Sequence, residues 1–272
     1  MTPKNLRLGA CAVAAVLAAS GYQWIIPQQG SVAPTAGSQA AQPPGAEFER
    51  GPLHLRQVAL TFDAGGEAEG LPDLLRVLER AQVSATFFLT GKWVCENPAM
   101  AGMIAAQGHV IGNHTWDHKD LTRLEDWEVR EEVLRADDRF VSLFGAQYQP
   151  LFRAPFGEVN ARVIDVVQKL GFHSIRWSVD TLDSMEPRKT ASFIEGRILE
   201  RSDEDLHGAI VLMHVGYPET VEALPMVIHN LRERGFELVT IPTWIHELDQ
   251  TSVGELARKN GLPQSQGTTG RD

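Results

Sequence analysis

The strongest constraint in this chain of 272 residues is a rhythm of short β-branched or aromatic runs alternating with longer segments whose apolar residues recur every three or four positions. The short runs are 58–63, 85–90, 109–113, 151–153, 173–179, 209–214 and 236–240, and they read as seven strands. The gaps read as helices. Leu71, Leu74, Leu75 and Leu78 make one apolar face, Pro98 to Gln107 a second helix, and Trp127, Val133, Leu134, Val141 and Leu143 suggest a longer third. Further helices fit 161–170, 191–201 and 221–234. Gly108, Gly171 and Gly235 each stand between a helical segment and the next strand, where a left-handed residue closes a helix.

Strands separated by helices imply parallel βα units, because parallel neighbours need a crossover connection. An open doubly wound sheet and a closed barrel both satisfy that rule. The open sheet would be favoured by a glycine-rich phosphate loop after the first strand, yet Gly65-Gly66-Glu67 matches no such spacing. The expectation is an α/β chain with a single-domain (β/α) barrel of about seven parallel strands, its active groups at the strands' C-terminal ends.

Twenty-five basic against 35 acidic residues give a net charge of −10, and no Lys/Arg-rich run offsets it, which argues against nucleic acid as a partner. The two cysteines, Cys11 and Cys95, cannot supply a disulfide framework or a cysteine-rich metal site. Charge is also unevenly placed: Lys4 and Arg7 are the only charged side chains before Glu47. An apolar run from Leu8 to Ala19 follows them, with Ala18-Ala19-Ser20 suited to signal peptidase. Extended through Ile25-Ile26, the same run reaches the length of a membrane anchor. Residues 1–26 are therefore expected to be a cleaved signal peptide or a retained anchor, the only route to a membrane. Either places the body outside the cytoplasm. Pro, Gln, Gly, Ser and Ala then dominate without periodicity, so 27–50 is expected to be a flexible linker, 51–249 the barrel and 250–272 a polar tail.

The strand ends carry the chemistry. Asp63 closes the first, Asn113-His114 the third, Arg153 the fourth and His214 the sixth, while Asp180 and Asp183 follow the fifth. Asp63 reads as a helix cap or a general base; Arg153 as a structural ion pair or a bidentate holder of a carboxylate. His114 and His118 have a spacing that aims two imidazoles at one metal from a helical turn, or they are surface histidines. His214 reads as a core histidine or a catalytic one, and Trp177 and Leu212 as core or the wall of a small apolar pocket.

Taken in order, five segments resemble the motifs of the polysaccharide deacetylases, carbohydrate esterase family 4. They are Thr61-Phe62-Asp63-Ala64-Gly65, His114-Thr115-Trp116-Asp117-His118, Arg153-Ala154-Pro155-Phe156-Gly157, Asp180-Thr181-Leu182-Asp183 and Leu212-Met213-His214. The resemblance spans about 58–241 and implies a distorted (β/α) barrel. It also implies metal-dependent removal of N-acetyl groups from an amino-sugar polymer such as peptidoglycan or chitin-like oligomers. On that reading a divalent metal, most often zinc, binds His114 and His118, and Asp63, held by Arg153, is the base. The Phe156 N–H meets the oxyanion, His214 fixed by Asp183 protonates the leaving amine, and Leu212 and Trp177 line the acetate pocket. Two positions depart from the family pattern. Ala64 stands where the family places a metal-binding Asp, leaving the third ligand to a water, to Glu67 or to Asp63 itself; Ser184 replaces a usual Trp. Ala64 motivates an alternative, a catalytically degenerate barrel that binds glycan without turnover.

Overall fold

The computed structural model describes residues 46–245; the expected signal or anchor, most of the linker and the C-terminal tail lie outside them. One sheet of eight parallel-paired strands runs in the order β5-β4-β3-β2-β1-β7-β6, with β8 added beside β1. The strands are β1 (Gln57–Ala64), β2 (Thr86–Leu89), β3 (Val110–Asn113), β4 (Tyr148–Phe152), β5 (His173–Ser174), β6 (Val179–Asp180), β7 (Ala209–His214) and β8 (Glu237–Val239). Helices α1 (Leu71–Ala81), α2 (Gly91–Glu96), α3 (Pro98–Ala106), α4 (Asp126–Phe144), α5 (Ala161–Lys169), α6 (Ala191–Leu199), α7 (Asp203–Leu206) and α8 (Pro218–Glu233) occupy the connections. This is the expected distorted (β/α) barrel.

The distortion starts at β1. β7 runs along one of its edges from Val58 to Asp63, while the other edge is divided between β8 at Gln57–Ala59 and β2 at Thr61–Ala64. The opposite side of the ring departs from the sequence reading. Residues 173–179 alternate like one strand, but they form two strands of two residues, β5 on β4 and β6 on β7. A single strand cannot pair with both ends of the sheet, so the chain leaves one end and rejoins at the other. Residues 46–50, assigned to the linker, cover this gap. Phe48 bridges Ile175, Arg50 bridges Ala209, and the Phe48 N–H donates to Ser174 O at 2.7 Å. Covering two short edge strands in this way removes an exposed pairing surface.

The period of two along β1 separates its side chains. Val58, Leu60 and Phe62 enter the sheet–helix core with Leu71, Leu74, Leu75 and Leu78 of α1, while Ala59 joins an inner cluster with Phe88, Ile210 and Trp244. The same alternation directs Thr61 and Asp63 into the barrel mouth. α1, α3, α5 and α6 lie close to their expected spans, and Gly108, Gly171 and Gly235 take φ of 78°, 91° and 77°. α8 begins at Pro218, earlier than expected, since proline suits the first helical turn. In α4 the helix is as expected but its core face is not. Val129, Val133, Ala136, Phe140 and Phe144 are buried, while Trp127, Leu134, Val141 and Leu143 are exposed. α2 and α7 were not read from sequence; each is capped by a hydroxyl, Thr90 and Ser202 respectively.

Candidate active site

Asp63, at the end of β1, is 6% exposed and meets the fully buried Arg153 just past β4. Arg153 Nη1 donates to Asp63 Oδ1 at 2.7 Å and to Thr61 Oγ1 at 2.9 Å. The expected bidentate grip is absent. Only one nitrogen reaches the carboxylate, and Nε and Nη2 have no hydrogen-bond partner among the described residues. The guanidinium lies over the Phe88 ring, 4.1 Å from its centroid, which uses its face where hydrogen bonds are lacking. Burial pushes the Asp63 carboxyl upward, but Arg153, His114 and His214 together hold it below the ordinary carboxylate value.

His114, just past β3, has Nδ1 2.8 Å from the Arg153 carbonyl oxygen. That ring nitrogen must donate, so Nε2 is the free lone pair, and it lies 3.6 Å from Asp63 Oδ2. The His118 ring stands edge-on to it with centroids 4.8 Å apart. Burial lowers the pKa of His114 and pushes His118 down to about 4, so both rings are neutral, as a ligand must be. The helical turn expected from their spacing is not present. His118 instead takes φ of 56° in a loop where Thr115, at 69°, is also left-handed. Phe156 (61°) and Leu182 (58°) share this conformation, so four of the five non-glycine residues with positive φ among the described residues surround the site.

His214 closes β7. Its Nδ1 donates to Asp183 Oδ1 at 2.7 Å, while Asp183 Oδ2 accepts from the His214 N–H at 2.8 Å and from Thr220 Oγ1 at 2.7 Å. Burial pushes the imidazole pKa down, but the hydrogen bond and charge of Asp183 outweigh it and raise it above the usual value. Ser184 Oγ lies 3.5 Å from Nε2. Asp180, the other acid of that segment, caps the Leu182 N–H at 2.8 Å instead.

A cavity of about 950 Å³ joins these groups. Asp63, His114, His118, Phe156, Trp177, Leu212 and His214 all line it. Arg153 and Asp183 sit behind, each bonded to one lining residue. Phe156 is 64% exposed and places its ring edge-on to His118, centroids 4.5 Å apart. Gly157 follows at φ 67°, where a Cβ would lie 2.6 Å from Trp177. The supporting roles of the Thr61 and Thr220 hydroxyls were not read from sequence: Thr61 stands in the first motif with no role given to it, and Thr220 lies in no motif.

The donor set fits a metal only in part. The imidazole pair, one tautomer already fixed, suits a borderline divalent cation. Among the described residues no group of three or more His, Cys, Asp or Glu side chains could hold a metal ion. Ala64 is packed in the sheet–helix core, and Glu67 lines the cavity but is solvent-exposed.

Comparison with known proteins gives consistent results. A sequence model described as polysaccharide deacetylase matches residues 50–175. A chitooligosaccharide deacetylase of Bradyrhizobium sp. is 36% identical over 203 residues, 69% of this chain and 90% of that protein. The peptidoglycan-N-acetylglucosamine deacetylase PgdA of Listeria monocytogenes is 34% identical over 186 residues, 68% of this chain; the chain spans only 38% of that relative's length. Among solved structures, a CE4 family pseudoenzyme from Bacillus anthracis superposes with a TM-score of 0.69 at 30% identity, covering 75% of this chain and 70% of its own.

Proposed function

This chain belongs to the polysaccharide deacetylases of carbohydrate esterase family 4, and we propose that it hydrolyses N-acetyl groups on an amino-sugar polymer, peptidoglycan or a chitin-like oligomer. One observation carries the reading. An acid–base pair with opposed shifts, Asp63 held low and His214 held high, faces one cavity from the adjacent strands β1 and β7, where the two residues are register partners.

Asp63, ionised at neutral pH, takes the proton of the attacking water, and Arg153 holds its Oδ1 so that Oδ2 faces the cavity. The Phe156 N–H meets the developing oxyanion on a loop fixed by the left-handed Phe156 and Gly157. His214 Nε2 gives its proton to the departing amine, and Asp183 holds the tautomer and stabilises the imidazolium. Leu212 and Trp177 enclose the acetyl methyl. When bound, a divalent cation, zinc before others, would be held by His114 and His118 and supply Lewis acidity toward the carbonyl and the water. With no donor at Ala64, its binding is weaker than a three-ligand site provides. The domain acts outside the cytoplasm, a reading supported by the basic and apolar N-terminal pattern; no described helix is long and apolar enough to cross a membrane.

The full chain should release acetate from N-acetylated chitooligosaccharides or peptidoglycan fragments, with loss of activity in chelator. Inertness of the folded protein across both substrates, with zinc and cobalt supplied, would overturn this function.

A second reading is favoured by Ala64 together with the similarity to a pseudoenzyme: a barrel that holds glycan without cleaving it. Equilibrium dialysis with zinc separates the two. Zinc retained by the parent and lost in His114→Ala supports the enzyme, while zinc absent from both supports the binder.

A further inference from the structure

The loop that carries both imidazoles is gripped from two sides by groups outside the chemistry. On one side the first amides of α2 donate to its carbonyls, Gly91 N–H to Thr115 O at 2.9 Å and Lys92 N–H to Trp116 O at 3.0 Å. On the other side stands Glu132 of α4. Its Oε2 accepts from the Trp116 N–H at 3.2 Å and the Asp117 N–H at 2.9 Å, and its Oε1 pairs with Lys119 Nζ at 2.7 Å. α4 reaches the loop twice more. The Val133 carbonyl accepts from Asn113 Nδ2 at 3.0 Å, and the Arg135 guanidinium lies 3.8 Å over the Trp116 ring.

Glu132 is 5% exposed, on the buried face of α4 beside Val129, Val133 and Ala136. A carboxylate there is unfavourable unless every oxygen is bonded, and here both are. The loop it holds contains two left-handed residues, Thr115 and His118, a conformation that persists only where the surroundings impose it. We infer that Glu132 is a positioning residue that fixes the separation and aim of His114 and His118. The inference rests on the metal reading above and sharpens it. With position 64 giving no donor, affinity depends more heavily on preorganisation of the two imidazoles that remain.

The test uses the full chain with Glu132→Met, which fills the apolar face but removes the acceptor, and Glu132→Gln, whose amide oxygen can still accept both N–H groups. Cobalt(II) alone is titrated and followed by its visible absorption, and amide hydrogen exchange is read across residues 115–118. The methionine variant should bind cobalt roughly 10–100-fold more weakly and exchange the Trp116 and Asp117 amides at least about 10-fold faster, with β1 amides unchanged. The glutamine variant should stay within about 3-fold of the parent in both. Parent-like affinity and exchange in Glu132→Met, or equal damage in Glu132→Gln, would overturn the inference. If the parent takes up no cobalt, the metal part of the proposed function fails separately. Glu132 is then judged on exchange, where acceleration confined to the loop supports it and parent-like or global exchange refutes it. Glu132→Ala replaces the methionine variant should the longer side chain prevent folding.

Discussion

Replacing Arg153 with methionine tests the centre of the site. The guanidinium is fully buried, Asp63 is 6% exposed, and the pair is 2.7 Å apart. At that separation and an effective dielectric of 20 the attraction is roughly 6 kcal/mol, much of it offset by desolvation of both ions. Removing the cation alone leaves a buried carboxylate with no charge partner behind it, and Arg153→Met should cost about 3–5 kcal/mol. For a body of this size that lowers Tm by roughly 6–20 °C. Asp63→Asn should cost a similar amount by stranding the arginine. The double variant removes both charges, so its loss should be smaller than the sum of the singles, with a coupling of at least about 2 kcal/mol. Urea unfolding of the four proteins at neutral pH measures the cycle. A single-variant loss under about 1 kcal/mol, or additive losses, would refute the argument that this ion pair holds the Asp63 carboxylate in place.

Three further outcomes follow from the same geometry. Asp183→Asn removes the strongest of the groups that raise the His214 pKa and leaves burial, which lowers it, opposed only by the charges of Asp63 and Asp180, so the alkaline limb of the pH–rate profile should move to lower pH and activity at neutral pH fall on the order of 10²-fold; an unmoved limb would exclude His214 as the acid. Gly157→Ala places a Cβ 2.6 Å from Trp177 at φ 67°, so it should destabilise by about 1–3 kcal/mol and lower kcat, read from denaturation and acetate release. The buried His109 has its pKa lowered by burial to about 4, and its Nδ1 accepts from the Ala85 N–H. Between about pH 6.5 and 4 the unfolded chain binds the extra proton, so stability falls with pH by roughly 2–3 kcal/mol, a loss that His109→Asn should diminish in urea midpoints taken at pH 7 and 4.5.

Much of the site was legible because its signals are local. A period of two along residues 57–64 directs Asp63 inward, and apolar runs ending in His or Arg mark strand ends that a parallel barrel brings to one rim. The grip of α4 on the histidine loop was not legible. Glu132 is one acid among several in its helix, and the exposed Trp127, Leu134 and Val141 drew attention to the wrong face.

The sequence by itself determined most of the strand and helix order, the parallel architecture and the identity of the chemical groups, since each follows from periodicity or a short motif; the short α2 and α7 escaped it. Tertiary structure decided how Arg153 meets Asp63, that 173–179 divides, and that Phe48 and Arg50 cover the resulting gap. The reason is range. Asp63 and Arg153 are separated by 90 positions, and contacts of that span depend on how strands close around a shared interior, which no local pattern encodes.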